Sequence, residues 1–292
     1  MKRVEPFPGR ASFFWAFIFN RWKLDRQRTR ILPADYTPKI SVVVPALNEA
    51  ENLPYVLPLI PSQIDEVILV DGHSTDDTVD VARALLPTVR IVQQEGRGKG
   101  AALRSGFAAA TGDIIVMLDA DGSTDPGEIS SYVSALVNGA DFAKGSRFAQ
   151  GGGTADMPMH RRFGNWCFVQ MVRTLFGGAY SDLCYGYNAF WADVLPALHL
   201  DSDGFEIETL MNIRALQSRL KVVEVPSFED RRRFGTGRLR TIPDGWRVVK
   251  TIFREWLRPQ YRPAYARPEA LPAGDRSRES IGLPPGVEVK GS

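Results

Sequence analysis

Asp113-Ile114-Ile115-Val116-Met117-Leu118-Asp119-Ala120-Asp121-Gly122-Ser123 is an apolar run that ends in two carboxylates one residue apart. A continuous apolar run of this length reads as a strand buried on both faces. In extended backbone, residues i and i+2 point the same way, so Asp119 and Asp121 converge just past the strand end. Two hard oxygen ligands there suit a divalent cation that carries substrate phosphates. Asp and Gly also dominate ordinary turns, so the pair gains meaning only from its surroundings.

Upstream, Lys39-Ile40-Ser41-Val42-Val43-Val44-Pro45 is a second buried strand, followed by Ala46-Leu47-Asn48-Glu49 and an expected helical stretch. Glu66-Val67-Ile68-Leu69-Val70 is a strand that ends at Asp71. Ser74 or Thr75 is expected to cap the helix behind it, with Asp76 and Asp77 in its first turn. A third, short strand is Val89-Arg90-Ile91-Val92. Gly96-Arg97-Gly98-Lys99-Gly100 opens a helix; its glycine spacing fits neither a Walker A loop nor a dinucleotide fingerprint, yet Lys99 there suits an anion. Strands alternating with helices imply an α/β fold with right-handed βαβ units and a mostly parallel sheet flanked by helices. Ligands of such sheets lie beyond the carboxyl ends of the strands. Three ends here carry polar clusters: Asn48 with Glu49, Asp71, and Asp119 with Asp121.

From Asp141 the character changes. Phe142 to Phe148 is a short strand carrying Arg147, and Gly151-Gly152-Gly153 is a loop. Arg161-Arg162 precede a helix with Phe163, Trp166, Val169, Val172 and Phe176 at helical spacing. A loop from Asp182 to Phe190, a helix opened by Phe205-Glu206-Ile207-Glu208, and an edge-type strand Val222 to Pro226 follow. Asp230 to Arg238 holds arginines that either clamp phosphates or form a solvated face. Trp246, Val249, Ile252, Phe253 and Trp256 form a helical stripe, for the core or for an interface.

The 292 residues carry a net charge of +2, which implies no attraction to polyanions and hence no nucleic-acid partner. Two cysteines, Cys167 and Cys184, make neither a disulfide framework nor a zinc site and suit a reducing compartment. No apolar run reaches the ~18 residues of a membrane span. Phe13 to Phe19, followed by Arg21, Lys23, Arg26, Arg28 and Arg30, suits a helix in the headgroup region, or one packed on the domain or a partner. The expected organisation is an amphipathic segment over 1–38, the α/β domain over 39–240, an amphipathic helix over 241–258 and a tail without chemistry over 259–292.

These motifs, in this order, resemble family-2 inverting glycosyltransferases with the Rossmann-like GT-A fold. The resemblance is carried by Val43 to Glu49, Val70 to Asp76, Gly98 to Leu103 and Asp119-Ala120-Asp121. Gly145-Ser146-Arg147-Phe148, Arg161-Arg162, Asp182 to Phe190, Phe205 to Glu208 and Arg232 to Leu239 resemble the dolichol-phosphate mannose synthase branch. That resemblance implies transfer of a hexose from a nucleotide-sugar, GDP-mannose or UDP-glucose, to a polyprenyl phosphate. It implies donor contacts from Pro45, Ala46, Asn48, Glu49, Asp71, Lys99, Asp119, Ala120 and Asp121, with Mg²⁺ or Mn²⁺ held by Asp119 and Asp121. It implies that Arg147 and Arg162, with Arg161 a near equivalent, hold the acceptor phosphate, so that Asp121, Arg147 and Arg162 form the catalytic set. A late arginine would touch the diphosphate: Phe234-Gly235 as anchor selects Arg232, and Asp230 as anchor selects Arg231. The chain departs from the pattern at Ser123, where relatives offer a metal contact, and at Asp71-Gly72, where a second aspartate is usual. The Gln-x-x-Arg-Trp motif of processive synthases is absent.

A phosphate monoester is mostly dianionic at neutral pH and needs placement more than a base. A hydroxyl acceptor needs a carboxylate base, for which Asp182, Asp203, Glu206 and Glu208 are the candidates. The readings that remain open are a phosphate acceptor, a soluble or protein hydroxyl acceptor, and a nucleotide-sugar-binding protein without turnover. A lipid acceptor implies a cytoplasmic protein held peripherally at the membrane's cytoplasmic face, by its own segments or by a membrane-protein partner.

Overall fold

The computed structural model describes residue 30, residues 32–33, 35–155 and 157–258, and residue 265. The Phe13 to Trp22 segment and residues 266–292 lie outside the described residues.

The buried runs form the expected strands: β1 (Ile40–Ala46), β2 (Glu66–Asp71), β3 (Arg90–Gln93) and β4 (Ile114–Met117). Between them lie α1 (Thr78–Leu85) and α2 (Lys99–Ala109), and α3 (Ile129–Val137) follows β4. Next come β5 (Phe142–Ser146), the two-residue β6 (Gly153–Thr154), α4 (Met159–Phe176), β7 (Asn188–Trp191), α5 (Leu195–Leu198), α6 (Ile207–Gln217), β8 (Val222–Pro226), β9 (Phe228–Glu229) and α7 (Thr241–Leu257). Seven strands make one sheet in the order β3-β2-β1-β4-β7-β5-β8, and β6 pairs with β9 in a separate ribbon. Only β7 among the seven runs antiparallel to its neighbours. β8 is an edge, as the proline-closed run predicts.

The chain winds outward from β1 through β2 to β3, then crosses back to lay β4 on the other side of β1. That reversal is a switch point, and it opens a crevice at the carboxyl ends of β1 and β4. Val42, Val43 and Val44 are fully buried because helices cover both faces of the sheet.

Three local expectations yield to the structure. The helical stretch after Glu49 is only two 3-10 turns, Leu53–Tyr55 and Leu57–Leu59, since Pro54 and Pro58 each remove a backbone donor. Neither Ser74 nor Thr75 caps α1; both bond to Asn48, and Asp76 accepts from Thr78 instead. Arg161 and Arg162 lie within the first turn of α4 rather than before it.

The helical stripes divide. Val169, Val172, Val248 and Ile252 join Ile213 in an apolar cluster where α4, α6 and α7 meet. The buried Arg214–Glu255 pair, at 2.9 Å, clamps α7 to α6. Phe163, Trp166, Trp246, Phe253 and Trp256 point outward. Tyr265, from the stretch read as a tail, is docked: its amide donates to the Ser218 carbonyl and its hydroxyl accepts from Arg30, which also pairs with Asp193. Among the described residues, no helix is long and apolar enough to cross a membrane.

Gly106 shows how closely α2 lies on the sheet. A Cβ there would stand 2.3 Å from Val43 Cγ1 and 2.8 Å from Val70 Cγ2. Gly106→Ala is expected to destabilise the fold by about 1–3 kcal/mol, measured by denaturant unfolding, because the overpacked core must shift.

Candidate active site

The crevice gathers the strand-end residues. Asp71 is buried, and its carboxylate accepts from the Ser74 amide at 3.1 Å and from Gln93 Nε2 at 3.1 Å. Pro45 and Ala46 end β1 beside it, with Ala46 level with Asp71. Asn48 has φ 54° and spends its side-chain oxygen on the Thr75 amide at 2.8 Å, so it ties the two loops together. Glu49 is buried and accepts from Asn52 Nδ2 at 2.7 Å and from the Arg232 guanidinium.

Arg232 is thereby the late arginine that reaches the crevice. Its other terminal nitrogen lies 3.4 Å from Asp121 Oδ2, whereas Arg231 stays exposed. The Phe234-Gly235 anchor therefore picks the residue that meets the strand-end carboxylates. Ser123 has a different task from the one its position suggests. Its amide and hydroxyl donate to Asp121 Oδ1 at 3.0 and 2.7 Å and so leave Oδ2 to face Arg232.

Lys99 stands between Asp119, at 2.7 Å, and Glu208, at 2.7 Å. Burial disfavours its ammonium, but the two carboxylates outweigh burial and hold Lys99 above its ordinary value. Burial also raises Glu208, against the pull of Lys99. Gly186 makes room for this cluster: a Cβ there would sit 2.8 Å from Asp119 Oδ2, 2.8 Å from Lys99 Nζ and 3.0 Å from Glu208 Oε1.

Among the described residues, no group of three or more His, Cys, Asp or Glu side chains makes a metal cage. A cation that carries a diphosphate needs only one or two carboxylates, the remainder coming from phosphate oxygens and water. Asp121 Oδ2, which faces Arg232, and Asp119, which lies on the lysine, are the carboxylates that would meet that requirement.

The basic side of the crevice divides by burial. Arg147 is buried, with Nε and Nη2 on Asp182 at 2.7 and 3.0 Å and Nη1 on Glu229 at 3.0 Å, over the Tyr185 ring. It is therefore a cation caged by carboxylates. Arg161 is half-buried and Arg162 exposed. Arg147 and Arg162 flank one ring, each 5.9 Å from the centre of Phe148. Glu229 and Gly186 were not singled out in sequence; Glu229 lies 82 residues from its partner, and no local pattern marks such a pair.

The candidate bases also separate. Asp182 has both oxygens engaged by Arg147 and the Cys184 amide; burial opposes its charge, yet Arg147 holds it below the usual aspartate value. Asp203 is exposed and pairs with Arg104. Glu206 Oε1 accepts from the Gly204 amide. Glu208 alone joins the strand-end cluster.

The family model described as Glycosyl transferase family 2 matches residues 41–195. The chain belongs to glycosyl transferase family 2. Dolichol-phosphate mannosyltransferase of Pyrococcus furiosus is 32% identical over 233 residues, covering 77% of this chain and 63% of that protein, so the chain spans less than two thirds of it. Polyprenol monophosphomannose synthase of Mycolicibacterium smegmatis is 31% identical over 235 residues, covering 75% of this chain and 87% of that protein. The crystal structure of glucosyl-3-phosphoglycerate synthase from Mycobacterium tuberculosis with Mn²⁺, UDP-glucose and phosphoglyceric acid superposes with a TM-score of 0.62 at 25% identity, over 76% of this chain and 81% of that one. The fold is GT-A, as the motifs imply.

For this glycosyltransferase, Gly186→Ala is expected to displace Lys99 and lower turnover about a hundredfold with the melting profile retained, since misplacement by about 1 Å costs that much. Asp182→Asn breaks a buried pair and is expected to cost about 3 kcal/mol at neutral pH in denaturant unfolding. The folded value of Asp182 is depressed, so its contribution is present above the ordinary aspartate value and fades as pH falls through the folded one. The gap between variant and unaltered protein should therefore close in acid.

Proposed function

We propose that this glycosyltransferase moves a hexose, with inversion, from a nucleotide-sugar to the phosphate of a polyprenyl phosphate at a membrane surface. The observation that carries the reading is the exposed aromatic face beside the arginines of α4. Phe163 is 65% and Trp166 57% exposed next to Arg161 and Arg162, and Trp246 is 59% exposed on the neighbouring α7. Aromatic and basic residues on one face suit a headgroup region, where a lipid's phosphate is met. The relatives named for dolichol-phosphate and polyprenol substrates support it.

On the donor side, Asp71, Pro45 and Ala46 would line the nucleoside, and Asp121 with Asp119 would hold Mg²⁺ or Mn²⁺. When bound, such an ion neutralises the charge that develops on the leaving diphosphate. Lys99 and Arg232 are fixed donors on either side of those carboxylates, ready to meet diphosphate oxygens. Asn48, at the same strand end, positions the Ser74–Thr75 loop and would stand beside the donor. On the acceptor side, Arg162, Arg161 and Arg147 would orient the dianionic phosphate in line with the sugar. The Phe13 to Trp22 segment would add a second contact with the cytoplasmic leaflet.

A hydroxyl acceptor is the second reading. It is favoured by Glu208, whose carboxyl burial raises beside Lys99 and Asp119, and by the relative crystallised with phosphoglyceric acid. Labelled GDP-mannose and UDP-glucose, each offered with polyprenyl phosphate and Mn²⁺, test both readings. Arg162→Ala should lower lipid-linked product about tenfold or more, while Glu208→Gln leaves substantial transfer. No lipid product with either donor, together with hydrolysis or transfer to a soluble hydroxyl acceptor that Glu208→Gln abolishes, would overturn the phosphate reading. Absence of any turnover would leave a binding protein.

A further inference from the structure

Arg147 carries one positive charge and faces two carboxylates. Asp182 is fully buried and holds Nε and Nη2; it also accepts from the backbone amides of Arg147 and Cys184. The buried Lys144 shares the Asp182 charge. Glu229 is the outer partner, the one that solvent reaches. It takes Nη1 through both oxygens, at 3.0 and 3.1 Å, and its side chain is 21% exposed. It sits on the two-residue β9, steadied by Thr154 Oγ1 at 2.8 Å. The next residue, Asp230, donates its amide to the Ser123 carbonyl at 2.7 Å, and two residues on is Arg232, on Glu49 and Asp121.

We propose that Glu229 is a stand-in for the acceptor's phosphate on Arg147, a positioning residue that the incoming dianion displaces. This rests on the phosphate-acceptor reading above. A phosphate offers Nη1 the same kind of charged oxygen that Glu229 places there. The phosphate adds a third oxygen and more charge. Arg162, whose guanidinium lies 5.9 Å from the centre of the same Phe148 ring, would supply the second cation that this extra charge needs. Until the acceptor arrives, Glu229 occupies Nη1 while Asp182 holds Nε and Nη2. It also repels weak monoanions, so only a ligand charged strongly enough to compete gains the site.

The test is calorimetric titration of inorganic phosphate into the full chain. Glu229→Gln keeps the shape and removes the charge, and Asp182 still pairs with Arg147, so the variant folds. It is expected to bind phosphate about fivefold more tightly than the unaltered protein, the strength of a partly exposed ion pair. Thr154→Ala, which removes the hydroxyl that steadies Glu229, moves affinity the same way by less. Arg147→Lys retains a cation without the fork and binds more weakly. With a short-chain prenyl phosphate as acceptor, Glu229→Gln lowers the acceptor KM without raising kcat. Phosphate binding that is unchanged or weaker in Glu229→Gln, while Arg147→Lys still weakens it, overturns the stand-in and leaves the acceptor site intact. Binding indifferent to both substitutions overturns the acceptor reading itself.

Discussion

Parallel pairing of β1 with β4 is the contact on which the rest of the molecule depends. Val42 lies level with Val116 and Val43 with Met117, at the point where the winding of the sheet reverses. That register brings the end of β4, with Asp119 and Asp121, alongside the end of β1, with Glu49. β2 adds Asp71 level with Ala46. The apolar strands tolerate burial on both faces because every backbone group is satisfied in the ladder. Polar residues can appear only where the ladder stops, so burial itself concentrates the chemistry in one crevice.

Within that crevice, cations and carboxylates hold one another. Lys99 is shared by Asp119 and Glu208, Arg232 by Glu49 and Asp121, and Arg147 by Asp182 and Glu229. Such pairing keeps buried charges affordable in the absence of substrate. It also sets the terms on which an anionic substrate enters, since phosphate oxygens compete with carboxylates for the same donors. Arg162 differs: it is exposed at the start of α4 beside Phe163 and Trp166.

Much of this was legible in the residues alone. The strands announce themselves because a doubly buried strand must be continuously apolar, and the Asp-x-Asp spacing follows from the two-residue period of extended backbone. The helix expected after Glu49 failed because Pro54 and Pro58 outweigh apolar periodicity. The aromatic stripes of α4 and α7 were ambiguous for a different reason. Helical spacing shows that Trp166 and Trp246 lie on a face, but whether that face meets protein or solvent depends on which neighbours are packed against it.

Local order along the chain therefore determined the elements, the strand-end carboxylates and the family. Tertiary structure alone decided the partners. The fold brings Glu229 to Arg147 from 82 residues away. Arg232, rather than Arg231, is the one that meets Glu49, across 183 residues. Ser123, whose position only marked a departure from the family pattern, donates its hydroxyl to Asp121. Strand and helix periods are short-range consequences of backbone geometry, whereas an ion pair depends on where topology carries two distant charges.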